Sequence, residues 1–295
     1  MTSAGSTAGK TVFITGGARG VGAEVARRLH AKGARLVLTD LDEAALAELR
    51  DALGADRVHT IVADVRELTA MEHAAASAVD RFGGIDIVMA NAGIATYGSI
   101  LQVDPEAFRT LMDVNVMGVF HTVRATLPSV LERRGYVLIV SSLAAYAAAP
   151  GLAPYNAAKA AVEHFANALR LEVGFRGVAV GSAHMSWIDT PLVRDTKADL
   201  PTFAEMLSRL PFPLNQTTSV EACGEAFVTG IEQRKRQINC PGWVGALRWL
   251  KSLLATPIGE QQVLKFVPDL LPRMDAEVAA LGRSMGTRTQ RLEER

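Results

Sequence analysis

Two spacings in the chain bring together residue types that could move a proton. Tyr155 and Lys159 lie four apart in Pro154-Tyr155-Asn156-Ala157-Ala158-Lys159, and Ser142 stands thirteen residues before the tyrosine. On a helix, positions four apart leave the same face, one turn from each other. Pro154 suits a first helical turn, which puts Tyr155 near the positive end of the helix dipole. A free phenol ionises near about pH 10 and is a poor base at neutral pH. An ammonium one turn away and a helix N-terminus both favour the phenolate, so both should lower that pKa. The expected chemistry is a tyrosine that donates and accepts protons near pH 7. Taken alone the pair is a weak signal, because Tyr and Lys at this spacing also arise on ordinary solvated helix faces.

A second constellation suits a dinucleotide. Thr15-Gly16-Gly17-Ala18-Arg19-Gly20-Val21-Gly22 directly follows an apolar run, Thr11 to Ile14, and opens a helical pattern. Gly16, Gly20 and Gly22 let the backbone turn tightly and approach a pyrophosphate, which the helix N-terminus at Val21 would hold. Asp40, eighteen residues past Gly22, ends the second apolar run. A carboxylate there would bond the adenosine ribose hydroxyls and repel the extra phosphate of NADP, so NAD is the expected cofactor. Arg19 argues the other way, since a guanidinium in the loop could meet that phosphate, and NADP is not excluded.

The glycine octet, Ala63-Asp64, Asn91-Ala92-Gly93, Asn115 in Val114-Asn115-Val116-Met117-Gly118, Ser142, and Tyr155 with Lys159 occur in one order. Together they resemble the short-chain dehydrogenase/reductase family in its compact one-domain form, over roughly residues 10 to 240. The resemblance implies a seven-stranded Rossmann-like sheet, a nicotinamide cofactor and a homo-oligomer, tetramer or dimer. It implies that Tyr155 exchanges a proton with the substrate oxygen while hydride moves to or from the nicotinamide. Ser142 would hold and polarise the carbonyl. Lys159 would depress the phenol pKa and bond the nicotinamide ribose, and Asn115 would hold a water linking Lys159 to solvent. Asp64, with Val65 beside it, would meet the adenine; Asn91, Ala92 and Gly93 would line the cofactor near its adenosine ribose. Thr190 fits the carboxamide position, with Ile188 as a neighbouring contact. Other readings stand beside these: Ser142 as a strand-end cap, Asn115 as a buried polar group at a helix kink. The family usually has Pro-Gly where this chain has Met185-Ser186, so the backbone approach to the nicotinamide is expected to differ. His184, just before, reads either as a substrate-pocket donor or as a packed, hydrogen-bonded histidine, with the second preferred.

The elements that must position these residues are legible as alternating apolar runs and helical patterns. Strands are expected at Thr11–Ile14, Arg35–Leu38, Val58–Val62, Ile85–Met89, Tyr136–Val140, Gly177–Val180 and Arg236–Asn239. Helices are expected over Val21–Lys32, Asp42–Leu53, Glu67–Phe82, Asp104–Arg133, Pro154–Val173 and Val220–Glu232. Strands separated by helices imply right-handed βαβ units: an α/β, doubly wound parallel sheet covered on both faces. Residues 1–9 are expected to be disordered, 10–240 to form the single catalytic domain, 241–282 a helical extension, and 283–295 a disordered tail. Within the domain, 191–214 reads as a surface flap; its Leu192, Val193, Leu200, Phe203, Met206 and Leu207 suit a hydrophobic alcohol or ketone beside the reacting centre. These residues could also simply pack on the sheet or on another subunit.

Bulk composition removes several classes. At 295 residues, with 49% hydrophobic and 21% charged residues, the chain has an ordinary globular balance and can bury a sizeable core. Lys plus Arg and Asp plus Glu are 31 each, so there is no positive excess to neutralise nucleic-acid phosphates. Cys223 and Cys240 are the only cysteines, with no Cys-x-x-Cys and no paired His at ligand spacing. Neither a disulfide framework nor a metal site is expected, and a cytoplasmic location fits. Met1 to Lys10 lacks an apolar signal-peptide core. The stretch 243–254 is amphipathic, with Trp243, Leu247, Leu250 and Leu254 on one face. It could lie on a membrane surface, cover the pocket or pack between subunits; core or subunit packing is preferred, because Arg248 and Lys251 alone attract lipid weakly. The expected function is an NAD-dependent oxidoreductase acting on a hydrophobic secondary alcohol or ketone. The alternatives are an NADP-linked 3-ketoacyl reductase of lipid metabolism and a non-catalytic dinucleotide-sensing module, whose mark would be a broken Ser/Tyr/Lys set.

Overall fold

An apolar run without polar alternation, such as Tyr136-Val137-Leu138-Ile139-Val140, offers hydrophobic side chains to both faces of a sheet. In the computed structural model, which describes residues 5–293, six such runs form β1 (Thr11–Thr15), β2 (Arg35–Asp40), β3 (Val58–Val62), β4 (Ile87–Ala90), β5 (Tyr136–Val140) and β6 (Ala179–Met185). Two short strands, β7 (Trp187–Ile188) and β8 (Thr217–Thr218), pair apart from them, and β9 (Gln237–Cys240) completes the main sheet. Its order is β3-β2-β1-β4-β5-β6-β9, with every neighbouring pair parallel.

Alternate residues of each strand feed two separate cores. Val12, Ile14, Leu36, Leu38, Met89 and Leu138 belong to one, and Phe13, Val37, Val88, Val137 and Ile139 to the other. The first strands are linked by α1 (Gly20–Ala31), α2 (Glu43–Leu53), α3 (Leu68–Phe82), α4 (Pro105–Met112), α5 (Gly118–Glu132) and α6 (Ala153–Val173). Between β6 and β9 run α7 (Pro191–Asp199), α8 (Pro201–Arg209) and α9 (Val220–Glu232). The helices α1, α2 and α9 cover the first core, and α3, α5 and α6 the second. Strand order reverses at β1 and β4, which opens a crevice at the carboxyl ends of the strands.

The structure departs from the sequence reading in four places. The single helix expected over Asp104–Arg133 is interrupted by one π turn, Asp113–Met117, between α4 and α5. A π turn inserts one residue into the ladder, and here it accompanies Asn115, which is fully buried. The Asn115 Oδ1 accepts from Ile94 N at 2.8 Å and its Nδ2 donates to Ile94 O at 2.9 Å. The stretch 191–214, read as a surface flap, contains α7 and α8, and Leu200, Phe203, Met206 and Leu207 are buried against Phe266, Leu270 and Met274. Enough apolar surface is available on the C-terminal extension to turn those helices into core.

That extension comprises α10 (Val244–Leu254), α11 (Pro257–Leu264) and α12 (Val267–Leu281). On α10, Trp243, Val244 and Leu247 pack near Leu143 and Tyr146, whereas Trp249 is 81% exposed. Among the described residues no helix is long and apolar enough to cross a membrane.

The third departure is the tail. Residues 283–295 read as a disordered polar tail, yet α13 spans Thr287–Glu293 and both Ser284 and Thr289 are buried; residues 294–295 lie outside the described part. Their polar groups are spent on the protein rather than on water. Arg283 pairs with Asp199 at 3.0 Å, Tyr97 N donates to Ser284 O at 2.8 Å, and Thr96 bridges Met285. The fourth is the N-terminus. Gly5 N donates to Glu232 O and Thr7 is buried, so residues 5–9 are tied to the domain; residues 1–4 lie outside the described part.

Candidate active site

The crevice at the strand ends is a cleft of about 370 Å³. Gly16, Arg19, Gly20, Val21, Asp40, Asp64, Val65, Asn91, Ala92, Gly93, Ser142, Tyr155, Lys159, Ile188 and Thr190 all line it. Of the glycine-loop and catalytic residues expected from the sequence, Gly22 and Asn115 do not reach the wall, and neither does His184. Gly22 and Asn115 act from behind it.

At one end β1 runs into the glycine loop. Gly20 adopts φ +54°, a left-handed conformation, and a Cβ on Gly22 would come within 2.2 Å of Gly16 O. Only glycine fits there without moving backbone. Asn91 braces the same turn: its Nδ2 donates to both Thr15 O and Gly16 O at 3.0 Å, while Thr15 Oγ1 accepts from Asn91 N and Ala92 N. The amide expected to face a ribose is thus committed to holding the ends of β1 and β4 together.

At the end of β2 the Asp40 carboxylate accepts from Ala18 N and Asp42 N, each at 3.1 Å. Burial raises its pKa, and these two N–H groups pull it back in part. Arg19 pairs with Asp42 at 2.8 Å. Asp64 at the end of β3 is held by Arg66, at 2.6 Å. Asp42 reads in the sequence only as a helix cap and Arg66 not at all; both pairings join residues that share no sequence periodicity.

The other end carries the proton chemistry. Ser142 follows β5 and caps a short 3₁₀ turn, its Oγ accepting from Ala144 N at 3.1 Å. Ser142 and Tyr155 line the same stretch of the cleft. Pro154 lies in the first turn of α6, and Lys159 is buried one turn beyond Tyr155. Lys159 Nζ sits 5.5 Å from the Tyr155 ring centroid and donates to Val140 O at 3.1 Å. Asn115 lies close behind: a Cβ on Gly93 would fall 3.2 Å from Asn115 Oδ1 and 3.4 Å from Lys159 Nζ.

The charge balance differs from the sequence argument. The sequence predicts a lowered pKa for Tyr155; burial raises it, and the neighbouring Ser142 hydroxyl only partly opposes this. Burial also lowers Lys159 to about 8. The physical reason is that one event, exclusion of water, brings the two groups together and penalises the charged form of each. The ammonium lies over the ring and spends a proton on a carbonyl, so its pull on the phenol oxygen does not overcome the desolvation.

His184 is the packed, hydrogen-bonded histidine. Its ring stacks on Tyr146 at 4.5 Å, bonds Ser182 Oγ at 3.0 Å and Ser142 O at 3.3 Å, and burial lowers its pKa to about 4. It steadies the segment that carries Ser142. Ser186 N donates to Cys240 O at 2.9 Å, which continues the β6–β9 ladder past Met185. Thr190 caps α7, its Oγ1 accepting from Val193 N at 3.4 Å.

Beyond Tyr155 the wall is apolar: Leu143, Leu152, Trp187, Leu192 and Phe203 line it. The Phe203 ring stands edge-on to both Tyr97 and Trp187, with centroids 5.8 and 5.6 Å away. Gly286, Arg288, Thr289 and Leu292 of the tail close the same cleft. These wall residues from the tail were missed in the sequence, where nothing local marks a polar terminus as returning to the site.

Comparison with known proteins decides what this arrangement is. The family model described as short chain dehydrogenase matches residues 10–201. The chain belongs to the short-chain dehydrogenase family. This dehydrogenase is 35% identical over 236 residues, 77% of its own length and 88% of the relative's, to a 3-alpha-(or 20-beta)-hydroxysteroid dehydrogenase of Mycobacterium tuberculosis. It is 33% identical over 218 residues, 68% of its length and 79% of the relative's, to an uncharacterised NAD-dependent oxidoreductase of the same species. Among solved structures, a 3-ketoacyl-(acyl-carrier-protein) reductase from Brucella melitensis complexed with NADH superposes with a TM-score of 0.71 at 26% identity, over 79% of this chain and 97% of that one. The short-chain dehydrogenase is therefore an oxidoreductase acting on CH–OH donors, and its seven-stranded parallel sheet is the family's.

Proposed function

We propose that this short-chain dehydrogenase interconverts a hydrophobic secondary alcohol and its ketone, with NAD as the hydride partner and Tyr155 as the proton donor and acceptor. The observation that carries the reading is the meeting of Ser142, Tyr155 and Lys159 in the cleft, between its glycine-loop half and its apolar half. The residues present fit a dinucleotide. The crowded Gly16–Gly22 turn leaves backbone at the helix N-terminus for a pyrophosphate, and the Asp40 oxygens keep lone pairs for ribose hydroxyls. Asp64, Val65, Ile188 and Thr190 also line the cleft, and in this reading the first two would meet the adenine and the last two the carboxamide. The bound nicotinamide supplies the site that gives or takes hydride.

Ser142 holds the substrate oxygen and polarises it, which favours the charge that develops there. Tyr155, neutral at pH 7 and kept so by burial, hands its proton to that oxygen in reduction. Lys159, charged below about pH 8, stabilises the phenolate left behind. In the opposite direction the phenol recovers the alcohol proton. The wall of Leu152, Trp187, Leu192 and Phe203 excludes water and favours an apolar, lipid-like or alicyclic skeleton. The hydroxysteroid dehydrogenase among the relatives supports that class. A screen of apolar ketones and alcohols, read by NADH absorbance, tests the reading; turnover confined to small polar carbonyls would overturn it.

Two further outcomes follow from the geometry. Gly22→Ala should weaken NAD binding by at least about tenfold, because its Cβ must push Gly16 and with it the loop. A fluorescence titration measures this, and unchanged affinity would mean the loop does not bear on the cofactor. Removing residues 283–295 should raise KM for an apolar ketone by about tenfold, the equivalent of about 1.4 kcal/mol. The deletion opens the cleft at Leu292 and Thr289 and frees Tyr97 N and Asp199. Steady-state kinetics would show the effect as a KM change with kcat little altered.

A further inference from the structure

The corner of the cleft at the ends of β1 and β2 carries three charges. Asp40, Asp42 and Arg19 all line it. Arg19 is the residue before α1, and its Nε and Nη2 lie 3.0 and 2.8 Å from a single oxygen, Asp42 Oδ2. Asp42 Oδ1 accepts from Ala45 N at 3.1 Å and so caps α2. The Asp42 backbone N–H donates to Asp40 Oδ1. Each carboxylate is thereby fixed by backbone, and the guanidinium is the exposed member, with a side chain 44% exposed against 16% for Asp42.

Resting on the nicotinamide reading above, we propose that Asp42 is a specificity-determining residue, which makes the enzyme select NAD over NADP by holding Arg19 as its own counter-ion. The extra phosphate of NADP brings about two negative charges and needs a cation to receive it. Among the described residues, the cations lining the cleft are Arg19, Lys159 and Arg288. Lys159 lies under Tyr155 and Arg288 pairs with Asp195 at 3.4 Å, so Arg19 is the one at the Asp40 corner. While Asp42 holds it, an incoming phosphate meets two carboxylates and a cation already neutralised. Asp40 repels the phosphate; Asp42 repels it and also removes the group that would welcome it. NAD, without that phosphate, loses nothing to the pairing.

The discriminating variant is Asp42→Asn, because asparagine caps a helix as well as aspartate does and removes only the charge. NAD+ and NADP+ are titrated against wild type, Asp42→Asn and Asp42→Asn/Arg19→Ala by calorimetry, with thermal melts alongside to show that the variants are folded. Asp42→Asn should bind NADP+ at least about tenfold more tightly than wild type, the scale of a charge-assisted hydrogen bond to phosphate. Its NAD+ affinity should stay within about threefold, the margin of a lost exposed charge pair. The gain should disappear in the double variant and shrink as salt is added. Unchanged NADP+ affinity with NAD+ binding intact, or a gain that survives loss of Arg19, would overturn the assignment and leave the choice to Asp40 alone. Wild type binding neither dinucleotide would instead sink the nicotinamide reading itself.

Discussion

Tyr155→Phe should lower turnover by about a hundredfold to ten-thousandfold, the range that a positioned acid–base group contributes. The substitution removes one oxygen. The ring that lies 5.5 Å from Lys159 Nζ stays, as does its packing beside Trp187 and Leu192. NAD affinity should therefore remain within about threefold of wild type, since the phenol oxygen is the only group lost. Stability should change by no more than about 1 kcal/mol, because the half-buried hydroxyl and its cost of desolvation disappear together. Parallel measurements of kcat and of cofactor binding separate the outcomes. Turnover within tenfold of wild type would show that some other group carries the proton, and loss of cofactor binding along with activity would point to collapse of the cleft.

Lys159→Met should do two opposite things: abolish most turnover and make the protein more stable. Burial lowers Lys159 from its ordinary 10.5 to about 8. Between those values the unfolded chain binds more protons than the folded one, so stability rises with pH through that window. Below about pH 8 the folded protein holds a buried ammonium that costs about 3 kcal/mol relative to the unfolded state. Methionine has similar length and no charge, and gives up the hydrogen bond to Val140 O, about 1 kcal/mol. The net gain at pH 7 should be about 1–2 kcal/mol, and the rise of stability between pH 8 and 10.5 should flatten. Urea unfolding at neutral and alkaline pH reads both. Turnover should drop by at least about a hundredfold, because no cation remains to stabilise the phenolate. A variant less stable than wild type at pH 7 would mean that the ammonium is satisfied in place rather than tolerated for chemistry.

These two residues also show where local spacing suffices. Four residues on a helix place two side chains on one face whatever surrounds them, so Tyr155 and Lys159 were identifiable as neighbours before any fold was known. The same holds for the glycines that follow β1 and for the alternation of strands and helices, since those patterns follow from backbone geometry and burial periodicity. The chain by itself determined the parallel sheet and the facing of the glycine loop and of Tyr155 with Lys159; the rest of the expected site came from family resemblance, and the tail's share of the cleft wall did not show in it.

Tertiary structure decided what those residues feel. The direction of the Tyr155 shift depends on how completely water is excluded, which no spacing records. Arg19 looks like a phosphate ligand until the turn from β2 brings Asp42 against it. At the π turn Asp113–Met117, Asn115 bonds both polar groups of Ile94, a partner twenty-one residues away. Residues 283–293 read as solvated because they are polar, and their partners Asp199, Tyr97 and Thr96 are far off in sequence. Local pattern fixes periodicity and facing. Desolvation and long-range hydrogen bonding exist only once the chain has closed on itself.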